Sequence, residues 1–140
     1  MFKIPKAVEY SILALKYIDE NSEQDCISAK EISSNVDIPF DLLAKILQKL
    51  NKFSIIKSVQ GTRGGYVLNN KLDSISLNYL VLILGYNIQV TDCMLDKPST
   101  DDCKRVNDCC LRSPLYNLQK KIIDLFENTT IKEVLTQNGQ

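Results

Sequence analysis

A chain of 140 residues, 44% of them apolar, is long enough for one cooperative core and leaves no room for a separate catalytic domain beside it. The longest apolar run, Leu80 to Leu84, falls far short of the ~18 residues a membrane span needs, and the amino end has no export-signal core, so a cytoplasmic protein without membrane contact is expected. Seventeen basic residues balance seventeen acidic ones, and the lack of histidine, of a phosphate-binding loop and of a paired acid motif argues against an enzyme.

Apolar residues at helical spacing predict a first helix over Ala7 to Ile18, with Val8, Ile12 and Leu15 on one stripe and Ala7, Tyr10, Ala14 and Tyr17 on a second. Cys26, isolated from the other cysteines, is expected in the core. Ser28 and Glu31 have the spacing of a capping box at the start of a short helix, Ala29 to Asn35. Val36-Asp37-Ile38 then makes a turn, and Pro39 suits the first position of a third helix, where its missing amide has no partner to lose. Along that helix, to Asn51, Leu42, Leu43, Ile46, Leu47 and Leu50 are assigned to the core. Phe40, Asp41, Ala44, Lys45, Gln48 and Lys49 are left outside.

Two strands, Ile55 to Val59 and Tyr66 to Leu68, flank Gln60-Gly61-Thr62-Arg63-Gly64-Gly65, whose glycines suit a tight hairpin. Ser76 caps a further helix that Gly85 ends. Val90 to Arg112 is irregular, and a loop of that length in a compact domain is usually functional. Ser113-Pro114 opens a long helix with Leu115, Leu118, Ile122, Leu125 and Phe126 on one side, and Thr130 with Glu133 forms a second capping box. The fold class is therefore mainly α with a small β-hairpin wing, a winged helix-turn-helix followed by a long C-terminal helix.

Charge is unevenly placed. Between Leu42 and Leu72 stand Lys45, Lys49, Lys52, Lys57, Arg63 and Lys71 with no acid among them, whereas Asp92, Asp96, Asp101, Asp102 and Asp108 crowd the loop. Such asymmetry is a footprint for double-stranded DNA on one part of the chain. The second helix of a helix-turn-helix enters the major groove, so Lys45 and Lys49 are expected on phosphates and Gln48 or Asp41 at base edges. The hairpin, with Gln60, Thr62 and Arg63, is expected in the minor groove, where negative potential favours a guanidinium.

The loop carries Cys93, Cys103, Cys109 and Cys110. Four thiols without histidine suit a soft metal site or redox chemistry better than a disulfide scaffold. Zinc is disfavoured because the short paired-cysteine knuckles of structural zinc sites are absent. A thiol switch without metal, suited by Cys110 just before a helix start where the dipole favours the thiolate, or a regulator of the same fold controlled by a protein partner, remains the alternative.

In order along the chain, Val8-Glu9-Tyr10, Ser28 to Ile32, Ile38 to Leu50 and Ser58-Val59-Gln60-Gly61-Thr62-Arg63-Gly64-Gly65-Tyr66 resemble the winged-helix regulator family that contains the iron-sulfur regulator IscR and the nitric-oxide-sensing repressor NsrR. The resemblance spans Met1 to about Leu135. It implies a transcription regulator acting as a homodimer on a pseudo-palindromic operator. It divides the single compact chain into a winged helix-turn-helix region, 1–72, and a helical dimerisation and sensor region, 73–140, with the cysteine loop at 90–112. It further implies an iron-sulfur cluster, 2Fe-2S or 4Fe-4S, held by Cys93, Cys103 and Cys110. Cys110 is preferred over Cys109 because Cys110-Leu111-Arg112-Ser113-Pro114-Leu115-Tyr116 matches the family's stretch into the long helix. The fourth ligand is then Glu9 from the other subunit, with Cys109, Asp92 and Asp108 as competitors. The gap from Cys93 to Cys103 is longer than the family pattern, and Gln60 stands where a basic residue is common.

Overall fold

The computed structural model describes residues 2–94 and 96–137; Met1, Leu95 within the cysteine loop, and residues 138–140, the end of the 73–140 region, lie outside it. Six α-helices and one hairpin follow in order: α1 (Lys6–Glu20), α2 (Ala29–Val36), α3 (Phe40–Lys52), β1 (Ile56–Val59), β2 (Gly65–Leu68), α4 (Leu77–Ile83), α5 (Arg112–Glu127) and α6 (Ile131–Thr136). One apolar cluster joins α1, α2, α3 and β1 to α4, Phe126 of α5 and Ile131 of α6.

The inner stripe of α3 is Leu43, Ile46, Leu47 and Leu50, all buried. Leu42, assigned to the core by its spacing, is 37% exposed, because four residues complete the stripe and leave it at the margin. Pro39 also departs from expectation. It stands before the helix with ψ 131°, and its carbonyl accepts the first helical bond from Leu43 (3.0 Å), so it acts as the N-cap. The preceding turn depends on Asp37 at φ 55°, a left-handed conformation that short polar side chains tolerate.

Only half of the first capping box forms. Ser28 Oγ accepts from the Glu31 amide at 3.1 Å, but the Glu31 carboxylate turns toward Tyr17 instead of back to Ser28. Burial and the charges of Glu31 and Glu23 hold the Tyr17 phenol above its ordinary pKa. The box at Thr130 and Glu133 closes on both sides, with bonds of 2.9 and 3.1 Å.

The hairpin pairs β1 and β2 antiparallel, from Ile56 with Leu68 to Val59 with Gly65. Tyr66 makes a second pairing with Ile27 in the α1–α2 connection, exchanging backbone bonds of 2.8 and 3.0 Å. Those bonds bring Gly65 so near that a Cβ there would stand 2.4 Å from the Ile27 carbonyl oxygen. The wing is thereby attached to the helical body at the loop end of β2.

α4 begins at its Ser76 cap and ends as the sequence predicts. Gly85 at φ 89° lets its amide bond to Leu82 and the Tyr86 amide bond to Val81, which is the Schellman closure. The caps of α4 and α6 lie side by side, with Leu77 N–H on Thr129 O and Ile131 N–H on Ile75 O at 2.8 and 2.9 Å. α5 starts one residue before Ser113, so Pro114 falls within the first turn, where its missing amide still has no intrahelical partner to lose.

The close approach at Gly65 makes a specific demand on sequence. Gly65→Ala is expected to lower unfolding free energy by ~1–3 kcal/mol, as forced overpacking does. Thr62→Ala, on the exposed hairpin tip, is expected to stay within about 0.5 kcal/mol of the parent. Equal urea midpoints for the two variants would refute the tight Ile27 contact.

Candidate functional site

Asp41, Lys45, Gln48 and Lys49 are all exposed on the side of α3 opposite its buried stripe. Asp41 occupies the first turn of α3, where the helix dipole favours an acid, and Lys49 lies in the last turn with Lys52. Lys45 and Gln48 have no side-chain bond among the described residues. Lys49 does: its ammonium donates to the Leu84 carbonyl at 3.1 Å.

Gln60, Thr62 and Arg63 are exposed on the hairpin tip. The tip is shaped by Gly61 at φ 131°, a conformation L side chains rarely adopt, and by a Gly64 amide bond to the Gly61 carbonyl at 3.1 Å. Cys26 is half-buried rather than a core residue, and its thiol donates to the Arg63 carbonyl at 2.9 Å. The connection from α1 to α2 therefore steadies the wing twice, through Cys26 at the Arg63 carbonyl and Ile27 at the start of β2. No periodicity marks Cys26 for this role, which arises only because the chain crosses under the wing.

The cysteine loop is irregular apart from one short 3-10 turn, Asp92–Met94. Its entry is fixed by the Val90 amide, which donates to Gln119 Oε1 of α5 at 3.0 Å. Val106 is buried within the loop, and Arg112 Nη1 donates to its carbonyl at 3.0 Å. At the loop's apex, Asp102 accepts from the amide and hydroxyl of Ser99 at 2.8 and 2.9 Å, which holds its carboxyl below its ordinary pKa. That turn is supported above the usual carboxylate pKa and loses the support as pH falls through the lowered value.

Cys93 and Cys109 line one cavity of about 540 Å³ with Met94, Arg112, Ser113, Tyr116 and Gln119. Thr91 Oγ1 lies 3.1 Å from Cys93 Sγ. Cys103 is half-buried and Cys110 exposed, and neither lines this cavity. The structure thus brings Cys109, not Cys110, together with Cys93. Glu9 sits in the first turn of α1, paired with Lys6 at 2.8 Å and partly open to solvent. Among the described residues no three histidine, cysteine, aspartate or glutamate side chains gather into a metal site, so Glu9, Asp92 and Asp108 are not assembled with the thiols within one chain.

A buried-backed helix with an outer face of polar side chains, followed by a glycine hairpin, defines a winged helix-turn-helix DNA-binding protein. Residues 4–137 match the Rrf2 family, described as an iron-dependent transcriptional regulator, and the chain belongs to that family. It is 29% identical over 128 residues to an HTH-type transcriptional regulator of Aquifex aeolicus, covering 91% of this chain and 88% of the relative. To the transcriptional regulator IscR of Vibrio parahaemolyticus it is 25% identical over 136 residues, covering 97% and 79%. Its fold superimposes on CymR, the global cysteine regulator of B. subtilis, with a TM-score of 0.70 at 17% identity, over 99% of this chain and 100% of that one. The chain is a DNA-binding transcriptional regulator and not an enzyme. No described helix is long and apolar enough to cross a membrane.

Two measurements follow from the basic face and the wing. Binding to duplex DNA is expected to weaken by about a thousandfold between 50 and 200 mM salt, because each neutralised phosphate releases counterions; a flat salt profile contradicts the assigned face. Arg63→Ala is expected to cost ~1–3 kcal/mol in operator binding with an unchanged melting temperature. Unaltered affinity would leave the hairpin a surface turn.

Proposed function

We propose that this protein controls transcription as a homodimer on a pseudo-palindromic operator, with affinity set by an iron-sulfur cluster on its cysteine loop. The observation that carries this reading is the cavity at the head of α5, which gathers Cys93 and Cys109 beside Arg112, Tyr116 and Gln119.

Support for the dimer comes from α5. Leu111, Leu115, Leu118, Ile122 and Leu125 follow the alternating four- and three-residue spacing of a coiled-coil seam. Leu111, Leu118 and Leu125 are 57, 46 and 63% exposed, a row of large apolar side chains that one chain leaves uncovered. Operator half-sites lie about one helical turn apart, ~34 Å, so the relative placement of two winged helices governs affinity.

The donor set suits a cluster. Thiolates are soft ligands, the chain offers no histidine, and the cavity presents two sulfurs at once. Cys93 and Cys109 would hold the cluster together with Cys103. Cys110, third in the resemblance, is the competitor of Cys109, being one residue nearer α5 but open to solvent. Glu9 of the second protomer would supply the fourth ligand, a harder donor and the more labile one. When bound, the cluster supplies a redox- and ligand-sensitive centre. The chain's own part is to place the thiols: Gln119 fixes the loop entry, and Arg112 fixes the Val106 turn ahead of Cys109.

A second reading, a thiol switch without metal, is favoured by one feature: only two thiols share the cavity. Anaerobic reconstitution followed by visible absorption and iron analysis separates the two. A coloured, iron-containing protein is expected. Cys93→Ala and Cys103→Ala are expected to abolish cluster assembly, and Glu9→Ala to give a cluster that is lost faster. Retention in Cys110→Ala with loss in Cys109→Ala assigns the third thiol to the cavity, and the reverse result restores Cys110. A colourless, iron-free wild type leaves the thiol switch as the function.

A further inference from the structure

Lys49 shares the outer face of α3 with Asp41, Lys45 and Gln48, yet it is the one of these four whose side chain is bonded to another helix, at 3.1 Å from the Leu84 carbonyl. Leu84 is the C-cap of α4. The Schellman closure uses the carbonyls of Leu82 and Val81, which leaves that of Leu84 for the lysine at the negative end of the helix. Lys49 takes part in neither of the ion pairs found among the described residues, Lys6–Glu9 and Lys16–Glu20.

From Leu84 the chain runs through Tyr86, Asn87, Ile88 and Gln89 directly into the cysteine loop, whose first amide, at Val90, is held by Gln119 of α5. Cys93 follows three residues later. The strap from Leu84 to Cys93 is thus fastened at one end to the reading helix and at the other to the helix that carries the exposed apolar seam. The Leu84 carbonyl thus lies between the loop entry and the ammonium of Lys49, the residue next in sequence to Gln48.

We propose that Lys49 is a positioning residue that couples the cysteine loop to α3, and not a phosphate contact. The proposal rests on the reading that the state of the loop governs DNA binding. A lysine engaged on a carbonyl adds little to counterion release, so the two roles for Lys49 differ in a measurable slope. They differ also in whether removing the amine affects the response to the loop's state.

The test compares wild type, Lys49→Met, Lys49→Arg and Lys45→Met by fluorescence anisotropy on a duplex bearing the operator. Each is measured across a salt series, as anaerobically iron-loaded protein and as iron-free reduced protein, after thermal melts confirm folding. Wild type is expected to bind with affinities about tenfold apart in the two states. Lys49→Met should bring the two states within about twofold at an unchanged salt slope, and Lys49→Arg, which keeps a donor for the Leu84 carbonyl, should restore the difference. Lys45→Met should keep the difference and lower the slope by about 0.9 per subunit contact. A slope lowered equally by Lys49→Met, or a wild-type-sized difference between states in that variant, overturns the coupling role. Equal affinity of the two wild-type states overturns the function proposed above, and the coupling with it.

Discussion

The backbone of Gly65 and Tyr66 lies against Ile27 so closely that no side chain fits at position 65, and the placement of the wing depends on that approach. A two-stranded ribbon alone is marginally stable in water. Here β2 is paired on both edges, with β1 on one side and with Ile27 on the other, so the ribbon behaves as the middle of a small sheet rather than as a free flap. Ile27 is itself buried and sits just before the Ser28 cap of α2, so the same residue fixes the wing and the start of the helix-turn-helix. Wing and reading helix consequently share one reference point in the core.

How much of this was legible in the sequence depended on range. The buried stripe of α3, the Ser76 and Thr130 caps and the glycine that ends α4 are written locally, in spacing and in residues with one strong conformational preference. Failures occurred where a distant group competed. Glu31 has the right separation from Ser28, but its carboxylate does not return to the Ser28 amide and leaves one oxygen buried without a partner. Leu42 has a core residue's character, but the four neighbours on its helix already fill the space available. Lys49 is exposed as its spacing implies, but nothing near it in sequence hints at its bond to the Leu84 carbonyl. Cys26 reads as a small core residue because its partner, the Arg63 carbonyl, comes from 37 positions away.

The cysteine loop marks the other limit. Its thiols and acids are obvious as composition, yet spacing alone could not choose between Cys109 and Cys110. The fold separates the two in their surroundings: Cys109 lines the cavity shared with Cys93, and Cys110 meets solvent. The apolar row at Leu111, Leu118 and Leu125 is left open to solvent, and Glu9 is paired within its own helix with Lys6. The sequence therefore specifies the helix-turn-helix and wing more fully than the cysteine loop.

The side-by-side caps of α4 and α6 have a topological consequence. Because Leu77 and Ile131 bond across to Thr129 and Ile75, the chain returns after α5 to the place where α4 began. Everything between, including the whole cysteine loop, is a ring closed by hydrogen bonds, with α4 and α5 packed together across it. The entropy of bringing distant chain ends together grows only slowly with the length of the closed segment. A ring already shut by the fold can lengthen between Cys93 and Cys103 with little further loss of stability. The cysteine loop is thus free to vary in sequence and length while the frame that holds it stays fixed.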